Sequence, residues 1–457
     1  MTSTSRLPAW ARPQEMLDLV RLAVPVALSR ASFMLMSLTD AVILARYAPG
    51  ELPYVLNGWL PIGVVMGFGM GLMIGVQVLT AELSGAGKAR ETGRIFRRGL
   101  VVAFIYGVVA TALCIVIARP LLGWVGFDDG LADATTTVTH ILAYGFLAHM
   151  LSMCCSSYLE ALRRPNIVTA ISMVAVVVNL IFALILVPQY GAEGVAWGTT
   201  GSRVFMAALL LLAAIVLTPA LKASATPPAG EFRRQNTVGI GTGVANIAEW
   251  GSFNLTFVIA TLVSLDAGTI YGLTVQMMGV IFMIYVGLGT ATSVRVAEHV
   301  GRADRKGVQN ASRLGVAASS LLGLGLALLL FLLREPIAVV WLNASEETSA
   351  GAHLAPTLAA MLAAAAFVTV FDGLQGVGSM ALRAQGVIWT PTAIHVGSYV
   401  FVMLPLCWWL ALPQGMGVWG VFIGVAIASV LAGSAQVAAL EWQAARGVRR
   451  ATLARLA

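Results

Sequence analysis

The sequence predicts an all-α polytopic membrane protein with twelve transmembrane helices, arranged as two six-helix lobes that are parallel repeats of each other. Three observations predict this class: long apolar runs, a low content of charge, and a one-sided distribution of Lys and Arg. Charged residues make up 11% of the 457 residues and apolar residues 58%, whereas a soluble domain carries about 25% charged residues. We therefore expect most of the chain to lie in a lipid bilayer.

Each apolar run is long enough to cross a bilayer as a helix, because about 20 residues span the hydrocarbon core. Lipid offers no partner to backbone N–H and C=O groups, so long continuous runs are expected to be helical. The predicted spans are 19–45, 56–81, 96–118, 136–158, 167–187, 193–218, 238–263, 269–294, 312–333, 354–379, 390–412 and 415–440.

The 28 Lys and Arg residues predict the orientation of these spans. With the N-terminus inside, nearly all of them fall in inner loops or at inner span ends. The exceptions are Arg46, Arg119 and Arg334 in outer loops, and Arg30 and Arg203 inside spans. This is the positive-inside distribution of membrane proteins. It predicts a bacterial cytoplasmic (inner) membrane protein with both termini in the cytoplasm, and it accounts for the net charge of +7 without a nucleic-acid partner.

The two halves of the chain repeat the same short motifs in the same order. Ala-Glu-x-x-Gly occurs at 81–85, after the second span, and at 297–301, after the eighth. Matches in order at a nearly constant offset indicate an internal duplication. Because six is even, both repeats enter the membrane from the same side. Two further matches are Ala-Leu-Arg at 161–163 and 381–383, and Gly-Val-Ala-Trp-Gly at 194–198 with Gly-Val-Trp-Gly at 417–420.

The duplication predicts the domain organisation. We expect an N-terminal lobe at 1–218, a cytoplasmic linker at 219–237 and a C-terminal lobe at 238–457. The linker is rich in Pro, Ala and charge, which is typical of pliable connections. Two lobes joined in this way suit alternating access, in which one lobe rocks against the other around a central cavity.

Glycine recurs at every fourth residue of the second span, at Gly63, Gly67, Gly71 and Gly75. At helical spacing these residues form one flat stripe, which is typical of close helix–helix packing in membranes. Direct contact with a substrate is the alternative interpretation. We expect packing.

Three carboxyl groups, Asp40, Glu249 and Asp372, fall well inside predicted spans rather than at their ends. A charge at the bilayer centre costs roughly 2.5–3.5 kcal/mol on insertion scales, so an acid retained there indicates function. Burial favours the neutral form of a carboxyl group, so such an acid can bind H⁺, Na⁺ or an organic cation in turn. Competition for the same acid would couple the movements of these ions.

Amide side chains accompany the acids. Gln375 follows Asp372 by three residues, which places both on one helix face. Hard cations prefer oxygen ligands, so a Na⁺ site at Glu249 and Asp372 is one prediction, and a pair that shares protons is the other. Asn179 in the fifth span is either an amide ligand beside Asp40 or a polar packing residue.

The chain resembles the MATE (multidrug and toxic compound extrusion) family, in its NorM-type branch, over nearly its whole length. The resemblance implies a V-shaped pair of lobes that export organic cations in exchange for H⁺ or Na⁺, with Asp40 as the cation residue of the first lobe. Two positions depart from the family pattern, with Val368 in place of an aromatic hydroxyl and Ala183 in place of a second polar residue. The resemblance rests on Thr39-Asp40, both Ala-Glu-x-x-Gly loops, Asn179, the Gly-Val-Ala-Trp-Gly stretch, Glu249, Phe371-Asp372-Gly373-Leu374-Gln375 and Ala381-Leu382-Arg383-Ala384.

Together these features predict a secondary active multidrug efflux transporter that exchanges organic cations for H⁺ or Na⁺ by alternating access. We expect a monomer in contact with membrane lipid, with small amphipathic cations as substrates and no cofactor beyond the coupling ion. The predicted residues of the substrate cavity are Met36, Trp250, Phe253, Gln276, Tyr285 and Gln375.

The alternatives are other classes of membrane protein. A flippase for lipid-linked oligosaccharide or polysaccharide, from the same superfamily, would need cavity cations for its phosphate, and only Arg30 and Arg203 lie within spans. We expect both to be structural counter-charges. An enzyme is not expected, because the sequence shows no intramembrane His pair, Ser–His set or metal-spaced cluster. A channel would not need a duplication of this type.

Overall fold

The computed structural model describes residues 13–222, 225–342 and 352–446. The terminal basic residues used for the orientation, Arg6, Arg12, Arg449, Arg450 and Arg455, lie outside the described residues, as do residues 223–224 of the predicted linker. Throughout the described ranges the secondary structure is helical, without a β-strand. The predicted all-α class is therefore confirmed.

Fourteen α-helices follow one another in the described residues. Short 3₁₀-helices lie at Pro49–Glu51, Ala89–Glu91 and Ala352–Leu354, and a π-helix spans Val396–Met403. The first seven are α1 (Pro13–Tyr47), α2 (Leu52–Gly58), α3 (Leu60–Gly85), α4 (Thr92–Val125), α5 (Asp129–Tyr144), α6 (Phe146–Ala161) and α7 (Pro165–Leu217). The others are α8 (Glu231–Val263), α9 (Leu265–Gly301), α10 (Arg305–Trp341), α11 (Ala355–Ala384), α12 (Trp389–His395), α13 (Leu404–Ala411) and α14 (Gly417–Arg446).

Ten helical segments among the described residues are long and apolar enough to cross a membrane. One of them, α7, contains two predicted spans, because its backbone leaves the helical conformation at Gly191, where φ is 52°. Glycine tolerates this positive φ without steric cost. The remaining predicted span, 238–263, lies within α8. Each of the twelve predicted spans thus falls mainly on helix in the structure.

Three helical boundaries differ clearly from the predicted ones, and the first is Trp59, where the predicted span 56–81 is interrupted between α2 and α3. The predicted span 136–158 is interrupted at Gly145, between α5 and α6. A Cβ at Gly145 would lie 2.9 Å from Thr200 Oγ1, so the absence of a side chain allows α7 to approach. α8 begins at Glu231, inside the predicted linker, where the Glu231 carboxylate accepts hydrogen bonds from Arg94 at 2.7 and 2.8 Å.

The chain folds into two compact units. The Asp40 unit comprises Leu28–Val244 and Ala297–Ala303, and the Asp372 unit comprises the described chain up to Ala27, Ala245–Val296 and the described chain from Asp304 onward. Their boundaries fall inside α1, α8 and α9. The predicted lobes, 1–218 and 238–457, stay a prediction.

Within the Asp40 unit, the glycine stripe of α3 is a packing surface in its C-terminal half. A Cβ at Gly71 would collide with the backbone of Gly243, and a Cβ at Gly75 with the carbonyl of Gln235. A Cβ at Gly63, at the other end of the stripe, would meet no atom within 4 Å. The stripe therefore lets the backbones of α3 and α8 approach closely.

The two Ala-Glu-x-x-Gly motifs pack against each other in the Asp40 unit. Gly85 of the first motif lies against the backbone of Glu298, and Gly301 of the second lies against the backbone of Glu82. Each glutamate also forms an ion pair at this crossing, Glu82 with Arg234 at 2.7 Å and Glu298 with Arg163 at 2.6 Å. Each motif thus supplies the surface that the other motif's glycine requires.

Candidate functional site

The buried acidic residues of the described chain fall into two groups. Asp40, Glu249 and Asp372 form no ion pair with Arg or Lys in the described ranges. A buried charge usually has a hydrogen-bonded counter-charge, and these three acids lack one, so their predicted role in binding a cation stays a prediction. The paired group consists of Glu82 with Arg234, Glu160 with Arg30, Glu231 with Arg94, and Glu298 with Arg163.

The first candidate site lies in the Asp372 unit, where α8 meets α11. Gln375 Nε2 donates a hydrogen bond to Glu249 Oε1 at 2.7 Å. Asp372, one turn before Gln375, is close enough to interact electrostatically with Glu249. Both carboxyl groups are only 7% exposed, and Gln375 is fully buried. The structure brings together these three predicted residues, and their binding of a cation stays a prediction.

A chain of polar contacts ends at Glu249. His395 Nε2 lies 2.6 Å from Gln375 Oε1 and 3.6 Å from Glu249 Oε2. His395 Nδ1 lies 2.8 Å from the Pro391 carbonyl oxygen, which can only accept a hydrogen bond. Gln436 Nε2 donates to the same carbonyl oxygen at 3.1 Å and lies 3.2 Å from His395 Nδ1. Side chains from α11, α12 and α14 therefore form one polar cluster beside Glu249.

Sequence reasoning missed His395 and Gln436, because the histidines look scattered along the chain and carry no spacing motif. One signal was present: His395 lies inside the predicted span 390–412, and an ionisable residue within a span indicates function by itself. His395 also ends α12, directly before the π-helix. Such local expansions of a helix are frequently found at functional sites.

Oxygen atoms surround Asp372. Its Oδ1 has no hydrogen-bond partner among the described residues, and the same holds for Ser429 Oγ, Tyr399 Oη and Tyr285 Oη. All three hydroxyl-bearing residues lie near Asp372. Val368, the departure from the family pattern, is buried in the hydrophobic core of this unit. The structure thus supplies aromatic hydroxyls from α9 and the π-helix instead.

The second candidate site lies in the Asp40 unit, between α1 and α7. Thr199 Oγ1 donates to Asp40 Oδ2 at 2.8 Å, and Asp40 Oδ1 has no partner in the described part of the chain. Asn179 is fully buried and near Asp40, but its amide atoms lie outside hydrogen-bonding geometry. Thr199 was missed, since a threonine in a span carries no signal of its own.

The two intramembrane arginines have different surroundings. Arg30 pairs with Glu160, as expected of a structural counter-charge. Arg203 instead lies with its guanidinium carbon 4.9 Å from the ring centroid of Trp59 and 5.6 Å from that of Phe33. It interacts with Asp40 at longer range, without ion-pair contact. A pocket beside it is lined by Phe33, Met36, Asp40, Trp59, Thr199 and Arg203, among others.

The other predicted cavity residues belong to the Asp372 unit. Trp250 and Phe253 are half-buried, and the Phe253 ring lies 5.8 Å from that of Tyr399. Tyr285 is buried near Asp372, whereas Gln276 is exposed. Contact of these residues with a substrate stays a prediction. No group of three or more His, Cys, Asp or Glu within the described ranges is arranged to hold a metal ion.

Comparison with known proteins identifies the family. The MatE family model matches residues 25–185 and 242–409. The chain is 34% identical to the "Probable multidrug resistance protein NorM" of Caulobacter vibrioides over 92% of this chain and 89% of the relative. It is 27% identical to the protein of the same description from Pseudomonas aeruginosa, over 96% and 91% of the two chains.

The fold comparison agrees. The structure titled "Crystal structure of eukaryotic MATE transporter AtDTX14" superposes with a TM-score of 0.85 at 17% identity, covering 97% of this chain and 99% of that one. This likeness confirms the predicted fold class, twelve transmembrane helices in two six-helix lobes. With the family model matched in both halves and NorM-named relatives along nearly the whole length, the chain belongs to the MATE family of integral membrane transporters.

Proposed function

We propose that this protein is a multidrug efflux transporter that exports small amphipathic organic cations in exchange for H⁺ or Na⁺ by alternating access. The names of its relatives support multidrug export. The basic inner loops support a place in the bacterial cytoplasmic membrane with both termini inside. The protein acts as a monomer in this proposal, since each chain carries a candidate site in each unit.

One observation carries the proposal: among the buried acids of the described chain, only Asp40, Glu249 and Asp372 have no Arg or Lys partner. The charge of an acid in an ion pair with arginine is already neutralised, so that acid does not need to bind another cation. An unpaired acid in a low-dielectric interior must be neutralised by a proton, a metal ion or a cationic ligand. A proton, a metal ion and a cationic ligand cannot bind one carboxyl group at the same time. This competition is the physical basis of exchange.

The surroundings of Glu249 and Asp372 in the Asp372 unit favour different bound ions. Glu249 faces an N–H donor of Gln375, which would repel Na⁺. Asp372 faces hydroxyl oxygens of Ser429 and Tyr399, which are the ligand type that hard cations prefer. In the proposal Glu249 exchanges protons, and Asp372 is the acid that either a proton or Na⁺ occupies.

The experiment measures export of a fluorescent organic cation from proteoliposomes under a pH gradient and, separately, a Na⁺ gradient. Glu249→Gln and Asp372→Asn should each abolish gradient-driven exchange at normal protein abundance. Glu441→Gln serves as the matched control, since Glu441 is an exposed acid paired with Arg313. Wild-type exchange rates in both single variants and in the double variant would refute the proposal.

The flippase alternative gains little from the structure. It requires cavity cations that can hold a phosphate, and Arg30 is neutralised by Glu160 at 3.0 Å. Arg203 in the Asp40 unit and Arg383 at the end of α11 in the Asp372 unit each keep guanidinium nitrogens without a partner. One such cation in each unit is a poor match for a lipid-linked diphosphate, so export of small molecules is the better-supported function.

A further inference from the structure

The first turns of α4 and the chain that leads from α7 to α8 form a basic surface in the Asp40 unit. Arg97 Nη1 of α4 donates hydrogen bonds to the backbone carbonyls of Ala220 at 2.7 Å and Lys222 at 3.1 Å. The Lys222 side chain is exposed, as is that of Arg233 at the start of α8. The chain after α7 therefore lies against α4 and places further cations beside those of α4.

The acidic residues at this basic surface are paired. Glu231 accepts hydrogen bonds from Arg94 at 2.7 and 2.8 Å and from Arg98 at 3.0 Å. Glu91 also forms an ion pair with Arg94. Two carboxylates thus meet two guanidinium groups here, so the exposed cations on the chain between α7 and α8 leave the surface positively charged.

An apolar stripe continues from the basic surface along α4. Five large apolar residues recur there at spacings of three and four, which places them on one face of the helix, the face of Arg97 and Arg98. Their exposed fractions lie between 45% and 58%. α4 is long and apolar enough to cross a membrane, so this stripe is expected to face lipid. The stripe consists of Val101, Phe104, Ile105, Val108 and Val109.

Two apolar side chains stand among the cations themselves. The Phe232 ring is 46% exposed, and its centroid lies 5.7 Å from the guanidinium carbon of Arg98. Leu221, directly before Lys222, is 64% exposed. Cations interleaved with exposed apolar side chains are typical of the boundary between headgroups and acyl chains, where both kinds of side chain find a partner.

We propose that this surface binds an anionic phospholipid, with the headgroup phosphate at Lys222 and Arg233 and an acyl chain along the stripe of α4. A soluble anion would use the cations and leave the stripe uncovered. A zwitterionic lipid would fit the stripe, but its own ammonium group offsets the attraction of its phosphate to the cations. An anionic diacyl lipid matches both parts of the surface, which combine charge attraction with apolar contact.

The test counts lipids bound to the purified full-length protein by native mass spectrometry. Phosphatidylglycerol and phosphatidylcholine with identical acyl chains are titrated separately, and the ratio of their first dissociation constants gives the headgroup preference. The wild type should prefer phosphatidylglycerol. In the double variant Lys222→Gln/Arg233→Gln this preference should fall by about 5–25-fold, because each Lys or Arg near an anionic surface contributes about fivefold.

The double variant Arg305→Gln/Arg313→Gln is the matched control, because it removes the same charge from the Asp372 unit, and its preference should match the wild type. Equal losses in the two double variants would mean that net charge alone sets the preference and would overturn the inference. An unchanged ratio in Lys222→Gln/Arg233→Gln, or a wild type without a preference, would also overturn it. Displacement of phosphatidylglycerol by inorganic phosphate at a comparable concentration would assign the surface to a soluble anion instead.

Discussion

Arg30 of α1 holds Glu160 of α6 through both carboxylate oxygens, with Nη2 at 3.2 Å from Oε1 and 3.0 Å from Oε2. Glu160 is completely buried and Arg30 nearly so. This pair ties the first spanning helix to the sixth helix of the Asp40 unit. Glu160 is thus a buried acid with an arginine partner, whereas Asp40, Glu249 and Asp372 have no such partner among the described residues.

Arg30→Gln should lower the free energy of unfolding by about 3–5 kcal/mol, because Glu160 is left as an unpaired buried charge. Adding Glu160→Gln should restore much of the loss, since two neutral amides replace the orphaned charge. The melting temperature of the purified protein in detergent reports both changes. Arg313→Gln, at the exposed Arg313–Glu441 pair, should cost less than about 1 kcal/mol. Equal losses at the two pairs would show that burial does not set the strength of these contacts.

His395→Phe should alter ion selectivity rather than folding. Without the His395 contact, the Gln375 amide group is free to rotate and to turn its oxygen toward Glu249. Exchange driven by a Na⁺ gradient should then rise relative to exchange driven by a pH gradient, by about tenfold or less, because an oxygen ligand replaces an N–H donor. The two gradients are imposed separately on proteoliposomes. His353→Phe, at an exposed His–Asp contact, is the control. A ratio equal to the wild type would mean that the orientation of Gln375 does not govern selectivity.

Gly85→Ala should destabilise the protein by about 1–3 kcal/mol, because the new methyl group would overlap the backbone of Glu298. Gly63→Ala, on the same helix, is the matched control. Gly63 faces open space, so alanine there should be neutral or stabilise by about 0.5–1 kcal/mol through helix propensity. The melting temperatures of the two variants, measured side by side, show whether close packing at Gly85 or helix propensity determines the effect of an added methyl group. Similar effects would argue against a close crossing at Gly85.

Thr199→Val should weaken the binding of an organic cation in the Asp40 unit by up to about tenfold at fixed pH. The Thr199 hydroxyl donates to Asp40 Oδ2 at 2.8 Å and so stabilises the charged carboxylate that attracts the cation. Valine has nearly the same shape without the donor. Equilibrium binding of a fluorescent cation measures the effect, and Thr111→Val, whose hydroxyl contacts only the Ala143 carbonyl, is the control. Unchanged affinity in Thr199→Val would remove Asp40 from the list of cation-binding groups.

The sequence predicted the helical class and the spans well, because hydropathy and charge asymmetry are local signals. Local signals also placed Asp372 and Gln375 on one helix face. Interruptions of helices were harder to predict. The interruption at Gly145 depends on the approach of Thr200 from another helix, and no residue close to Gly145 in the sequence indicates it. The start of α8 at Glu231 depends on Arg94, far away in the chain.

The candidate sites were predictable only in part, for the same reason. An acidic residue inside an apolar span can be recognised from the sequence, whereas the residue that contacts it from another helix cannot. His395 lies 3.6 Å from Glu249 Oε2 and Gln436 contacts His395, each from another helix, and Thr199 contacts Asp40 from α7. These meetings depend on how helices pack, and a single sequence carries no record of which helices are neighbours.

The reciprocal contact of the two Ala-Glu-x-x-Gly loops has a consequence for how the two copies of a duplicated chain can diverge. A larger residue at position 85 would collide with the second copy, and one at position 301 with the first. At this crossing, neither motif can accept a larger residue in place of its glycine unless the other motif moves away. Duplicated sequences usually become less similar with time, and this mutual steric requirement acts against that change in two short motifs that lie far apart along the chain.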